Sequence, residues 1–562
     1  MSTTSTTMTS PRAPQTPLSR FATLQTADRL LCGVLIALSL FALALGIAYG
    51  VAMALVRSGL LAPAPDAGYR VLTLHGTTAF FYWLYTGQAA TVLLLAAAEK
   101  KGALALRGLA WAGTALIAAG FVLSELAAIA GPPLLYEANP ELGTDDPRTV
   151  AGMTGGYLLL AAGFALIALS SIATVLATRR QADGGLSALG FGLLAWAGFL
   201  IVSAVAAVNA FLPGLLWASG FGAFPHAATT DWHILFHNLH YLPLMATVLV
   251  WYALAQDLTG ISPATGTAFS KIVFASYLVF VPPTSLYHMF LEPGLPESVR
   301  VAGSLLSLFV SVPTLIAFLI VVASLEIHTR AGGEGGMRAR LRRLPWDNPA
   351  MANMGVAILT MLIGLAFAFV LIQEKLAPLL SDTMFVPGYF HFFAVGTVTQ
   401  SFIAMLAMAV PAVSGRPLWR PRLLCVMPWI VLAGLLLFGA GGLGAGLMGV
   451  PRRVVDIGYG GEAPAIWRPF MAMVGIGGVL FASALAVSVF GVLRSLVPGR
   501  RGLAAAAEPH VAAARSAAAP AAAAWTGPLA VVLLVAAMYG ATIGAFELMQ
   551  SLPVTAAGGG AH

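Results

Sequence analysis

What most constrains this chain is a succession of long apolar runs separated by short polar connections. A helix needs about 20 apolar residues to cross the hydrocarbon core of a bilayer, and these runs reach about 20 to 28. In lipid every backbone N–H and C=O must be satisfied internally, so only helices or a closed barrel can cross. A barrel would show short alternating segments, which leaves helices. Composition agrees: 9% of residues are charged and 59% are hydrophobic, whereas soluble proteins carry about 25% charged residues. The chain is expected to be an all-α integral membrane protein.

Thirteen spans are expected, at about 29–57, 70–98, 107–130, 151–178, 185–212, 232–256, 268–290, 299–327, 351–373, 385–413, 423–447, 467–494 and 526–550. The domain reading is a disordered tail over 1–28, a helix bundle over 29–498, an Ala-rich connection over 499–525, and a final span with a short tail over 526–562. The tail is rich in Ser, Thr and Pro and lacks a signal-peptide core, so the first run should remain as an anchor. Assigning Lys and Arg to alternate sides puts 21 of the 29 with the N-terminus. The positive-inside rule then places the N-terminus in the cytoplasm. Arg338, Arg340, Arg342 and Arg343 contribute most to that bias, and Arg452 and Arg453 stand against it. The net charge of +7 is explained by these loops, and nucleic acid is excluded as a partner. Cys32 and Cys425 lie alone in separate runs and offer neither a disulfide nor a thiolate metal cage.

The histidines carry the chemistry. An ionisable side chain at membrane depth is a functional candidate, although a single one often serves as an interhelical hydrogen-bond donor. His75 lies about five residues into the second span, His237 about five into the sixth and His391 about six into the tenth. His288 is about two from the end of the seventh, so all four fall within ~10 Å of the outer surface at 1.5 Å per residue. Imidazoles gathered at one depth suit a buried metal or haem layer, because neutral imidazole is the commonest metal ligand and two opposed imidazoles can hold a six-coordinate haem iron. On the sixth span His233, His237 and Tyr241 share one helix face, with His240 beside them. His233 reads as interfacial.

With LTLHG at 72–76, the His237 to Tyr241 H-x-x-x-Y, YHMFLEPG at 287–294, ASLEIHTR at 323–330, LPWDNPA at 344–350, VPGYFH at 386–391 and VPRR at 450–453, the chain resembles catalytic subunit I of the haem-copper oxidases. Within that superfamily it is most similar to the B-family cytochrome c oxidases. The resemblance runs from about the second span to the twelfth and implies a thirteen-helix bundle. It also implies a low-spin haem, b-type, held by His75 and His391, with Arg452 and Arg453 on its propionates. A second, high-spin haem and a copper are implied near Tyr389, His237 and His288, with Tyr241 as the catalytic tyrosine that supplies an electron and a proton. The implied partners are a small copper-bearing subunit II and cytochrome c, and the implied location is a bacterial-type plasma membrane. The activity implied is electron transfer toward dioxygen reduction, coupled to proton translocation.

Two positions depart from the pattern. Where the family has the His that ligates the high-spin haem, this chain has Tyr389, and where it has a consecutive His-His pair for copper, this chain has Tyr287-His288. Residues 389 and 391 are about 200° apart on a helix and are expected to face different haem sites. A phenolate can ligate ferric haem, so the centre is either modified or no longer reduces dioxygen. The alternatives are a non-oxidase paralogue that keeps only the low-spin haem and a nitric oxide-converting relative. The second lacks an extra carboxylate ligand, the nearest acidic residue being Glu292 in the E-P-G turn. A transporter is the baseline for any polytopic chain and leaves the histidine layer unexplained.

Overall fold

The computed structural model describes residues 21–497, apart from 22–23, 101–102, 180–184, 226–228, 282–309, 334, 373–375, 457 and 459–460, and apart from the side chains of 179, 229–234, 236 and 237. The described residues form twelve principal helices. These are α1 (Thr26–Arg57), α2 (Pro65–Glu99), α3 (Arg107–Ala130), α4 (Pro147–Arg179), α5 (Ala188–Ala218), α6 (Thr229–Thr259), α7 (Gly266–Phe280), α8 (Val312–Ala331), α9 (Pro349–Leu371), α10 (Phe385–Ser414), α11 (Pro421–Leu447) and α12 (Trp467–Leu496). Eleven are long and apolar enough to cross a membrane, and α7 is a shorter apolar helix of 15 residues. The eleven correspond to expected spans one to six and eight to twelve, and α7 covers the described part of the seventh, 268–290. The thirteenth, at 526–550, lies outside the described residues, as do the proposed 1–20 portion of the tail and the Ala-rich connection. The second helix begins at Pro65, earlier than expected, because Pro is well placed in a first helical turn.

Three buried indoles are paired with polar groups on other helices. Trp83 Nε1 donates to Thr399 Oγ1 at 2.8 Å, Trp251 Nε1 to Ser401 Oγ at 2.8 Å, and Trp196 Nε1 to Gln88 Oε1 at 3.1 Å. Each indole thereby packs its large apolar body while its N–H finds an acceptor on another helix. At the N-terminal face buried Asp28 pairs with Arg107 at 2.5 Å, fixing the start of α1 against α3. The basic loop after α8 is likewise closed on itself. Glu326 pairs with Arg330 at 2.7 Å, and Arg343 donates to Thr329 O at 2.8 Å and Gly333 O at 2.6 Å. These bonds satisfy carbonyls exposed at the end of α8. Asn348 Oδ1 then accepts from Ala350 N at 2.9 Å and caps α9. Much of ASLEIHTR and LPWDNPA therefore serves to build this turn.

Two helices are locally widened. Residues Gly76–Trp83 of α2 and Phe392–Thr399 of α10 are π-helical, and each stretch starts immediately after a histidine, His75 or His391. In α10 the side chains follow the wider turn: Thr397 Oγ1 donates to Phe392 O at 3.0 Å and Thr399 Oγ1 to Ala394 O at 2.8 Å, each five residues back. Such π segments recur at functional sites. Here the Trp83–Thr399 bond joins their two ends.

The start of α10 is set by small residues. A Cβ at Gly388 would lie 2.8 Å from Leu443 N, and one at Gly442 would lie 2.8 Å from Gly388 Cα, so α10 and α11 touch backbone to backbone. Gly388→Ala is expected to force them apart and to cost about 1–3 kcal/mol as overpacking does. The check is a lower melting temperature of the detergent-solubilised protein, and an unchanged one would show that the contact is not limiting.

Candidate functional site

A cavity of about 720 Å³ opens among α1, α2, α6, α8, α9, α10 and α12, bordered by His75, His391, His240, Tyr241 and Tyr389, with Arg452 and Arg453 at one end. Its size lies in the upper part of the range of about 300–1,000 Å³ usual for small-molecule and cofactor sites.

His75 and His391 come to this cavity from α2 and α10. Their ring centroids are 6.5 Å apart and their planes differ by 15°. That spacing is too wide for ring-on-ring contact. An imidazole nitrogen lies about 1.1 Å from its ring centre, and metal–imidazole bonds run about 2.0–2.1 Å. One ion held between two opposed imidazoles therefore requires centroids about 6.4 Å apart. His75 Nδ1 is 3.1 Å from Gly46 O, and His391 Nδ1 is 2.7 Å from Pro387 O. Carbonyl oxygens only accept, so both rings carry their proton on Nδ1 and keep the Nε2 lone pair for a ligand bond. Neighbouring residues fix each ring. A Cβ at Gly50 would lie 3.0 Å from His75 Cε1, so only glycine lets α1 pass this close, and Phe438 sits 4.5 Å from the His391 ring. The pair thus fits a haem iron with both axial positions filled.

Arg452 and Arg453 follow α11. Their loop is anchored by Arg57 at the end of α1, which donates to Pro451 O at 2.6 Å and to Val454 O. Met384 N donates to Val450 O at 2.8 Å and Arg452 N to Asp382 O at 2.9 Å, tying the loop to the start of α10. Arg452 pairs with Asp382 at 3.0 Å, but Asp382 is 84% exposed, so this pair contributes little. Arg453 pairs with Glu137, which is buried. Burial disfavours the Arg453 cation, yet Glu137 and Tyr136 more than offset it and hold the guanidinium above its ordinary value. The Tyr136 phenol is pushed up to about 12 by its burial and by Glu137, against the opposing pull of the two arginines.

Tyr389 and His391 both border this cavity. Tyr389 nonetheless leans toward a side cluster containing Leu371, Leu376, Leu380 and Phe385, away from the His75–His391 pair. Tyr241 reaches the cavity from α6 within hydrogen-bonding reach of Ser311. His240 packs against Phe390 at 4.8 Å and Phe80 at 5.3 Å. The backbone of His237 lies on α6, one turn before Tyr241, and its side chain lies outside the described residues, as does that of His233. His288, Tyr287 and Glu292 lie outside them entirely. Among the described residues no three His, Cys, Asp or Glu side chains gather closely enough to hold an ion.

Two features escaped sequence reasoning. One is a ladder of hydroxyls leading from Tyr241 toward the opposite end of the bundle: Ser311, Thr314 bonded at 2.8 Å to Tyr277, and Tyr252 bonded at 3.4 Å to Ser270. Tyr, Ser and Thr are common in apolar helices, so only their juxtaposition marks them. The other is Glu137, which falls in a connection between spans.

Two opposed imidazoles over a large cavity in an all-helical membrane bundle are suited to holding a metal-centred cofactor. The family model for cytochrome c and quinol oxidase polypeptide I matches residues 31–480, and the chain belongs to that family. It is 27% identical over 310 residues, 54% of this chain and 55% of the relative, to cytochrome c oxidase subunit 1 of Thermus thermophilus. The alignment thus spans about half the length of that relative. A second Thermus thermophilus sequence described as cytochrome c oxidase subunit 1 is 30% identical over 103 residues, 18% of this chain and 95% of that one. In fold the chain is similar to a heme-copper terminal oxidase dimer solved by cryo-EM, with a TM-score of 0.76, 19% identity and 92% of each chain covered.

Proposed function

We propose that this chain is the haem-bearing subunit I of a B-family-like terminal oxidase, receiving electrons from cytochrome c through a copper-bearing subunit II at a bacterial plasma membrane. The observation that carries this reading is the 6.5 Å spacing of His75 and His391 with both Nδ1 atoms committed to carbonyls. A low-spin b-type haem bound between them supplies one-electron transfer without an open coordination position. The residues contribute the rest. His75 and His391 would hold the iron. Arg452 and Arg453, at one end of the cavity, suit haem propionates because guanidinium forks pair bidentately with carboxylates. Tyr241 and the hydroxyl ladder below it suit proton delivery from the N-terminal, cytoplasmic side.

A second haem beside Tyr389 and a copper on His237 and His288 complete the oxidase reading. Tyr389 itself favours the alternative of a paralogue that retains only the low-spin haem, since its phenol is a poorer partner for a reducible iron than a neutral imidazole. The deciding experiment is haem and metal content of the purified membrane complex, with reduced-minus-oxidised spectra. Two haems and one copper per subunit support the oxidase, one haem and no copper support the paralogue, and no haem removes both readings.

Arg452→Gln or Arg453→Gln is expected to lower the midpoint potential of the low-spin haem. Reduction adds an electron, and loss of a nearby positive charge disfavours the more negative state. Redox titration that finds neither potential moved would reduce the pair to a structural role.

A further inference from the structure

The connection between α3 and α4 carries a carboxylate that none of these roles uses. It folds over the cavity end of α2 and grips that helix around His75. Thr73 Oγ1 donates to Leu134 O at 2.6 Å. Tyr157 O–H donates to Tyr136 O at 2.8 Å, with Thr77 3.0 Å from the Tyr157 oxygen. The Tyr136 ring fills the space beside Gly76, where a Cβ would lie 2.5 Å from Tyr136 Cδ1. Thr73, Gly76 and Thr77 lie within two residues of His75 in sequence, so the connection and the imidazole share one rigid support.

Glu137 is the next residue, 3% exposed and on the cavity wall. Ala138 after it adopts φ 55°, in the left-handed region where a side chain strains the backbone, and is itself buried. Such strain persists only where the surroundings dictate it, and it gathers at functional sites. One carboxylate oxygen accepts from Arg453, while Oε2 is buried with no hydrogen-bond partner, as is Arg453 Nε. A pair needed only to fasten the connection would be expected to satisfy its atoms, because orphaned buried acceptors are costly. The fastening is already supplied by Thr73, Tyr136 and Tyr157. A half-satisfied pair on the cavity wall is instead suited to acting on what the cavity contains.

We infer that Glu137 is a positioning residue that sets how much of the Arg453 positive charge reaches the haem between His75 and His391, and that it lowers the midpoint potential of that haem. The inference rests on the haem reading above. The redox step is a one-electron change from ferric to ferrous iron, with the electron supplied by dithionite in the test; no bond to Glu137 forms or breaks. A carboxylate held beside the site disfavours the added electron, and a guanidinium favours it.

The test is a mediated dithionite titration of the purified complex, with the low-spin absorbance as readout. Glu137→Gln is expected to favour reduction by about tenfold, which for a one-electron couple is about 59 mV upward. Arg453→Gln is expected to move the potential down, and the double variant to return close to the parent. Glu137→Asp, which keeps the charge, is expected to stay near the parent. If Glu137→Gln alone does not accumulate, the comparison of Arg453→Gln with the double variant isolates Glu137 in a background without the orphaned cation, and the same upward shift is expected. An unmoved potential in both backgrounds, or shifts of the same sign for Glu137→Gln and Arg453→Gln as simple loosening would give, overturns the inference and leaves the haem reading intact. A parent protein without low-spin haem overturns both.

Discussion

Replacing either His75 or His391 with alanine is expected to abolish the low-spin haem spectrum of the purified protein. The expectation follows from geometry: at 6.5 Å between centroids each ring would supply one bond to the proposed iron, and neither has a substitute within the pair. His240 is the other described histidine on the cavity wall, and it is packed between Phe80 and Phe390 on a different side. The loss should therefore be complete, not graded, with the six-coordinate absorption and paramagnetic signature both gone. Gly50→Leu makes a useful companion, since a Cβ there would lie 3.0 Å from the His75 ring and bulk should tilt the imidazole. Both alanine variants keeping the parent spectrum would mean that the iron, if bound, is held elsewhere.

The bundle was legible because span length and charge bias are local properties. A run such as 349–371 or 467–496 announces itself whatever surrounds it. The convergence of His75 and His391 was legible for a related reason, since equal depth in two spans that cross in the same direction can be counted along the sequence. What tertiary structure adds could not be counted. The π stretches after both histidines carry no periodicity signal, because a single widened turn shifts the register of a helix already apolar on every face. Tyr389 and His391 both border one continuous cavity, and that the cavity is shared could not be counted along the sequence. Glu137 was invisible because its meaning lies in partners 316 residues away in sequence. ASLEIHTR and LPWDNPA, quoted for the resemblance, largely close the turn between α8 and α9, with Glu326 paired to Arg330 and with Arg343 and Asn348 satisfying backbone groups at the helix ends.

Oxygen consumption by the unmodified protein is expected to be slow or nil, and Tyr389→His together with Tyr287→His is expected to raise second-haem occupancy, copper retention and carbon monoxide binding to the reduced protein. The reasoning begins from ligand chemistry: each replacement restores a neutral nitrogen donor where the chain offers a phenol. Tyr389 borders the cavity and lies within electrostatic reach of Arg452, so a histidine there would meet the same space. Tyr287 lies outside the described residues, and its part rests on the sequence Tyr287-His288 alone. A phenolate on iron carries a negative charge that stabilises the ferric state, which would make delivery of an electron to that iron unfavourable. The double variant separates this cause from mere loss of fold, because the His75–His391 spectrum should be the same before and after. Rapid oxygen consumption by the parent, with two haems and one copper bound, would instead establish that tyrosine at these positions supports the reaction and that the degenerate-centre alternative is wrong.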